Sequence, residues 1–179
     1  MNAPPDVRET VIITGSSGFI GSALVRHLSA RYLVIGFDRG LPPHPPAEAE
    51  CVCVDLTDDA SVQAAFLRVR VAYGARIASV IHLAGYLDLT GEPRRKYEEV
   101  TVKGTERLLG APQAFEAQRF VFVSTMLIHA STTPGVPINE QSPLDVSLPY
   151  RDSKIRTEQL IREQRRDPGR LPASGRHLR

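Results

Sequence analysis

The chain has 179 residues, 42% hydrophobic and 23% charged, with a formal net charge of +2. That is enough for one domain with a substantial core, and it excludes the strongly basic composition of a nucleic-acid binder or a membrane-surface protein. No apolar run approaches the roughly 20 residues that span a bilayer, and the polar, proline-bearing start from Met1 to Thr10 lacks the features of a signal peptide. A cytoplasmic protein is the default expectation.

In chain order, Val11-Ile12-Ile13 reads as a strand. It is followed by Thr14-Gly15-Ser16-Ser17-Gly18-Phe19-Ile20-Gly21 and then by a helical pattern with Leu24, Val25 and Leu28 on one face. Strand, glycine-rich turn and helix start are the context of a dinucleotide-binding turn. Gly15 lets the chain leave the strand sharply, and Gly18 carries no Cβ to hold a phosphate away. Gly21 lets the helix lie close to the sheet, and the free N–H groups of the first turn face the anion.

A second strand is expected over Leu33-Val34-Ile35-Gly36-Phe37, closed by Asp38. An exposed loop with Pro42, Pro43, Pro45 and Pro46 follows. Cys51 to Val54 reads as a third strand, its two cysteines on one face as small buried hydrophobes, since no further ligand or CxxC spacing accompanies them. Asp58 or Asp59 is placed to cap a helix with Val62, Ala65, Phe66 and Val69 on one face. Ser79 to Leu83 forms a fourth strand ending at Ala84-Gly85. A long helix is expected from about Pro93 to Leu109, stopped by Gly110 and Pro112. Phe120-Val121-Phe122-Val123 is a fifth strand, a proline-rich loop covers 132–148, and helical spacing returns from Tyr150 with Ile155, Leu160 and Ile161. Alternating strands and helices predict an α/β fold built on a doubly wound parallel sheet.

Ligands of such sheets bind at the carboxyl ends of the strands. Asp38 there can accept both hydroxyls of an adenosine ribose and repel a 2′-phosphate, favouring NAD over NADP; Arg39 beside it is a cation that suits the phosphate instead. Asp38 opening a turn is the structural alternative. His82 reads as a structural histidine and no metal site is expected. Tyr150 and Lys154 lie four residues apart on one helical face. An ammonium near a phenol favours the phenolate, which makes Tyr150 a candidate general base and Lys154 its tuner. Ser124-Thr125, after the fifth strand, can hold a substrate oxygen.

TGSSGFIG, Asp38, Asp55-Leu56, HLAG, VKGTERLL, VFVST and YRDSK, in this order over residues 11 to about 165, resemble the NAD-dependent epimerase/dehydratases, the extended short-chain dehydrogenase/reductases. The resemblance implies a Rossmann fold and NAD as cofactor. It implies Gly15, Ser17, Gly18, Phe19, Ile20, Gly21, Asp38, Arg39, Asp55, Leu56, Leu83, Ala84, Gly85, Tyr150 and Lys154 as the cofactor-binding set. Tyr150, Lys154, Thr125 and, as fallback, Ser124 form the catalytic set; Thr125 matches the second member of the family's Ser-Ser or Ser-Thr pair. It implies hydride transfer at a hydroxyl-bearing carbon of a small molecule, often a nucleotide-linked sugar. The alternatives are a hydroxysteroid-type dehydrogenase and a non-catalytic NAD-binding protein.

The chain departs from the family pattern at Thr101, where asparagine is usual, and at Ile128-His129-Ala130, where Val-Tyr-Gly is frequent. Residues 166–179 carry four arginines and one aspartate and no strand pattern. The expectation is a Rossmann domain over 1–165 and an atypical basic tail in place of a sixth strand and substrate domain, as in a truncated product. Relatives dimerise through two helices, one beginning near Tyr150, so a homodimer is an open expectation.

Overall fold

The computed structural model describes residues 8–40, 49–88, 94–111 and 116–164. The proline loop at 42–46, Pro112 and the tail from 166 lie outside them. The sheet is built on β1 (Thr10–Thr14), whose five residues are all buried. Parallel to it on one side run β2 (Leu33–Asp38) and β3 (Ala49–Cys53), and on the other β4 (Arg76–His82). β5 (Glu116–Ala117) and β6 (Phe120–Phe122) both pair with β4, so the order is β3-β2-β1-β4 with β5 and β6 sharing the last position. The predicted fifth strand is the second of these two pieces. Gln118 and Arg119 between them still exchange backbone hydrogen bonds with Ile77 and Val80 of β4. The first piece escapes a hydrophobic pattern because its ladder runs through Glu116-Ala117-Gln118-Arg119.

Side chains alternate across the sheet and both faces are covered, which explains the nearly continuous apolar runs. One face carries Ile12, Ile35, Phe37, Ile77 and Val80 against Val62, Ala65, Phe66 and Val69 of α2 (Asp59–Tyr73) and Leu108 of α4 (Lys103–Gly110). The Phe37 and Phe66 rings meet edge-to-face at 5.4 Å. The opposite face carries Val11, Ile13 and Val34 against Leu24, Val25 and Leu28 of α1 (Phe19–Leu28). At the far end Phe122 of β6 packs with Leu109 and with Ile161 of α5 (Pro149–Gln164).

Three local expectations are corrected. The helix expected from Pro93 is α3 (Arg94–Lys96), a π-helical segment over Tyr97–Val102, and then α4. Tertiary contacts hold the widened turn: Thr101 is wholly buried with its hydroxyl accepting from Tyr86 N–H, and the Tyr97 hydroxyl donates to the Asp88 carbonyl. Apolar spacing does not register a single i→i+5 turn. The cysteines share a face, but it is the open one: Cys51 is half-buried and Cys53 exposed, while Val52 and Val54 fill the core. Among the described residues β3 pairs with β2 alone and so stands at the edge of the sheet, where the second face gains little cover. Gly21, finally, is required by the glycine turn rather than by the sheet, because the atoms nearest an added Cβ belong to Gly15 and Ser16.

Asp58 caps α2, its carboxylate accepting from Ala60 N–H at 3.0 Å. Asp58→Ala should cost about 1 kcal/mol and Phe66→Ala about 3–5 kcal/mol, both read by urea unfolding; equal losses would show that Phe66 does not anchor the core.

Candidate active site at the carboxyl edge of the sheet

β1 and β4 are neighbours whose following segments leave to opposite faces, so a crevice opens between their carboxyl ends. Gly15 turns the chain out of β1 with φ +70°, and a Cβ there would lie 3.0 Å from the backbone nitrogen of Ala84. A Cβ on Gly21 would lie 2.0 Å from the Gly15 carbonyl oxygen and 2.8 Å from Ser16 Cα. Any side chain at either position would fill the cradle. Gly18 caps α1 without a side-chain bond, so no cap side chain occupies the first-turn N–H groups, and Gly18 to Gly21 line the crevice. Phe19 and Ile20 lie in that turn with exposed side chains.

The crevice has two parts. A cleft of about 250 Å³ is lined by Gly15, Asp38, Arg39, Asp55, Leu56, Ala84 and Gly85. A second, of about 310 Å³, is lined by Gly15, Gly18, Phe19, Ile20, Gly21, Leu83, Gly85, Ser124, Tyr150 and Lys154. Ser17 touches the first through Asp38, whose Oδ2 accepts from the Ser17 backbone N–H at 2.9 Å and its hydroxyl at 2.6 Å. Oδ1 accepts from Arg39 N–H at 2.8 Å. Asp38 therefore both ends β2 and braces the glycine turn. Asp55 Oδ1 accepts from the Thr57 backbone and hydroxyl, each at 2.8 Å, and these bonds hold its carboxyl below the usual range.

In the second cleft Tyr150 and Lys154 stand one turn apart on α5, as their spacing requires. Thr125 stands beside the Tyr150 hydroxyl, where it favours the charged form, and also caps the 3-10 turn Met126–Ile128, accepting from Leu127 N–H. Ser124 Oγ is buried and has no hydrogen-bond partner among the described residues, an orphan polar atom at the wall of a cleft. Lys154 Nζ is buried, donates to the Val123 carbonyl at 3.1 Å and lies 4.6 Å from the Phe122 ring centre. Burial lowers its pKa from 10.5 to about 8, against a raising effect of Glu158.

The expected depression of the Tyr150 phenol is not found. Burial raises its pKa above the ordinary 10, with Thr125 lowering it only in part and Tyr97 raising it further. The ammonium expected to act on the phenol is turned to the Val123 carbonyl, and desolvation of the phenol is the larger effect. Thr14, Phe37, Val54, Thr57, Tyr86 and Val100 also line the first cleft, and Tyr86, Leu87 and Val123 the second. Tyr86 follows HLAG directly, so adjacency marks it in the sequence; nothing local marks Val100, which reaches the cleft from the π segment. Among the described residues no cluster of three or more His, Cys, Asp or Glu side chains is arranged for a metal, and no helix is long and apolar enough to cross a membrane.

Residues 11–177 match the NAD-dependent epimerase/dehydratase family. The chain belongs to that family. Over 170 residues it is 31% identical to a 3-beta-hydroxysteroid dehydrogenase of Mycolicibacterium neoaurum, covering 92% of this chain and 45% of the relative. Over 181 residues it is 30% identical to UDP-glucose 4-epimerase 2 of Oryza sativa subsp. japonica, covering 92% and 43%. The solved UDP-glucose 4-epimerase of Thermus thermophilus in complex with NAD superposes with a TM-score of 0.83 at 29% identity, over 95% of this chain and 54% of that one. The chain thus spans about half the length of the family relatives it matches.

Gly21→Ala should displace the turn, costing about 1–3 kcal/mol in thermal unfolding; an unshifted melting temperature would mean that the Gly15 carbonyl yields freely. Buried Lys154 binds its proton less readily folded (pKa about 8) than unfolded (10.5). The unfolded chain therefore holds the extra proton across that interval, and stability rises with pH from about 8 towards 10. Lys154→Met should melt above the parent at neutral pH and lack that alkaline gain; a lower melting temperature at both pH values would contradict it.

Proposed function

We propose that the crevice is an NAD site and that the chain supplies the cofactor-binding and proton-transfer parts of an enzyme acting at a hydroxyl-bearing carbon, with 1–165 as the NAD-binding domain. The observation that carries this is the backbone cradle: a Cβ on Gly15 or Gly21 would come within 3.0 or 2.0 Å of backbone atoms, and the first turn of α1, capped by a glycine, lines the same cleft. This shape and polarity suit a pyrophosphate. Asp38 and Arg39 lie at the ribose end, and Asp55 and Leu56 beside them suit the adenine border. A carboxylate already accepting three donors presents negative charge where NADP would bring a phosphate, which favours NAD.

Bound in the crevice, NAD would supply the hydride acceptor for the substrate carbon. Tyr150, as the phenolate, would take the proton of the same carbon's hydroxyl on its phenol oxygen. Thr125 stands beside that oxygen and orients the reacting hydroxyl; the orphan Ser124 Oγ supplies a second polar contact. Lys154 contributes the positive charge that a phenolate needs, and its pKa near 8 lets it respond to the charge that develops beside it. Burial of the phenol excludes water and disfavours its charged form, so the phenolate that acts as base depends on that positive charge.

Nucleotide-linked sugars are the substrate class proposed, supported by the structural likeness to UDP-glucose 4-epimerase at a TM-score of 0.83. A cytoplasmic site of action and a homodimer through the α4 and α5 layer fit the same reading. Calorimetric titration should show NAD binding in preference to NADP. Tyr150→Phe should keep that affinity while lowering hydride exchange about 10²–10⁴-fold. No heat with NAD at millimolar concentration would overturn the cofactor assignment, and turnover untouched by Tyr150→Phe would overturn the assignment of the base.

A further inference from the structure

His82 ends β4 with its ring wholly buried, tilted against Phe120 and Phe122 at centroid separations of 5.9 and 5.7 Å. Both ring nitrogens are engaged: Nδ1 lies 2.6 Å from Thr14 Oγ1, and Nε2 2.9 Å from Thr105 Oγ1. The neighbouring bonds assign the protons. Thr105 Oγ1 is 2.6 Å from the Thr101 carbonyl oxygen, which can only accept. The threonine hydroxyl has one hydrogen and gives it there, so it must accept from Nε2–H. At the other end Thr14 Oγ1 accepts from Ala84 N–H at 3.1 Å, leaving its own hydrogen for the bare Nδ1. Thr101 then closes the path, its Oγ1 accepting from Tyr86 N–H at 3.0 Å.

The circuit runs from Ala84 through Thr14, His82, Thr105 and Thr101 to Tyr86, beginning and ending on one three-residue segment. Gly85, in the middle of that segment, lines both clefts. A Cβ on Gly85 would stand 3.6 Å from Lys154 Nζ, and the Ala84 backbone is the surface against which the Gly15 turn is packed. A displacement of this segment is therefore passed to both the phosphate cradle and the Tyr150–Lys154 cleft.

We propose that His82 is a positioning residue: as the neutral Nε2–H tautomer it joins β1 to the helical layer and fixes the Ala84–Tyr86 backbone between the two halves of the crevice. Protonation would put a second donor against Thr14 Oγ1, reversing that bond, and a charge in an apolar site facing Lys154. Burial, then the Lys154 charge, push the ring's pKa down to about 3. The consequence for NAD rests on the function proposed above; the placement of the segment does not.

Nitrogen NMR of the ¹⁵N-histidine-labelled full chain, without cofactor, should show His82 with a protonated Nε2 and a bare Nδ1, unchanged from about pH 5 to about pH 8. Thr105→Val keeps the shape and removes the acceptor. It should speed amide exchange at Ala84 and Tyr86 by about tenfold or more and weaken NAD binding by about tenfold, and Thr105→Ser should restore both. An Nδ1–H tautomer, titration of His82 within that pH range, or unchanged amide protection in Thr105→Val would overturn the proposal. If Thr105→Val does not fold, the tautomer in the parent chain decides. If the parent takes up no NAD, the NAD reading fails while tautomer and amide exchange still decide the role of His82.

Discussion

The approach of two backbones governs this molecule: the Gly15 turn after β1 runs against Leu83 and Ala84 after β4, with space for a hydrogen but not for a Cβ. Both segments leave the sheet at its carboxyl edge, where successive connections depart to opposite faces and a crevice must open. The central position of β1 follows from its composition, five buried residues with apolar layers above and below. The glycines are then the only residues that let the chain turn at that point without closing the crevice.

Polar groups around the crevice are used more than once. Asp38 ends a strand, braces Ser17 and faces the cleft. Thr14 belongs to the central strand and also receives the Ala84 amide. Such sharing is economical in a low-dielectric interior, where every buried donor or acceptor left unmatched is costly. It also makes the site stiff, because no one bond can move without its neighbours. The exception is Ser124 Oγ, buried beside Tyr150 without a hydrogen-bond partner among the described residues.

Lys154 shows stability and chemistry in opposition. An ammonium taken into a wall beside Phe122, with the Val123 carbonyl as its acceptor, destabilises the folded chain and lowers its own pKa. A residue chosen for packing alone would be apolar. Burial acts on the neighbouring phenol in the same sense, disfavouring its charged form. Burial thus works against the charged form of both groups, although a pKa of about 8 leaves Lys154 mostly charged at neutral pH.

The alternation of strands and helices, the glycine turn, Asp38 at the end of β2, Asp58 as a cap and the Tyr150–Lys154 pair on one face are all legible in the sequence. Each of these rests on local sterics or short-range periodicity, which a linear pattern records. The remaining features depend on the assembled fold. The long helix contains a π segment because Thr101 and Tyr97 are held by Tyr86 and Asp88 from a distant loop. The cysteines are not fully covered because β3 is the edge strand among the described residues. Tyr150 is raised rather than lowered because its burial outweighs the lowering effect of Thr125. His82 joins Thr14 and Thr105, residues 68 and 23 positions away. Burial, charge partners and hydrogen-bond direction are properties of neighbours in space, and the sequence does not order those neighbours until the sheet has formed.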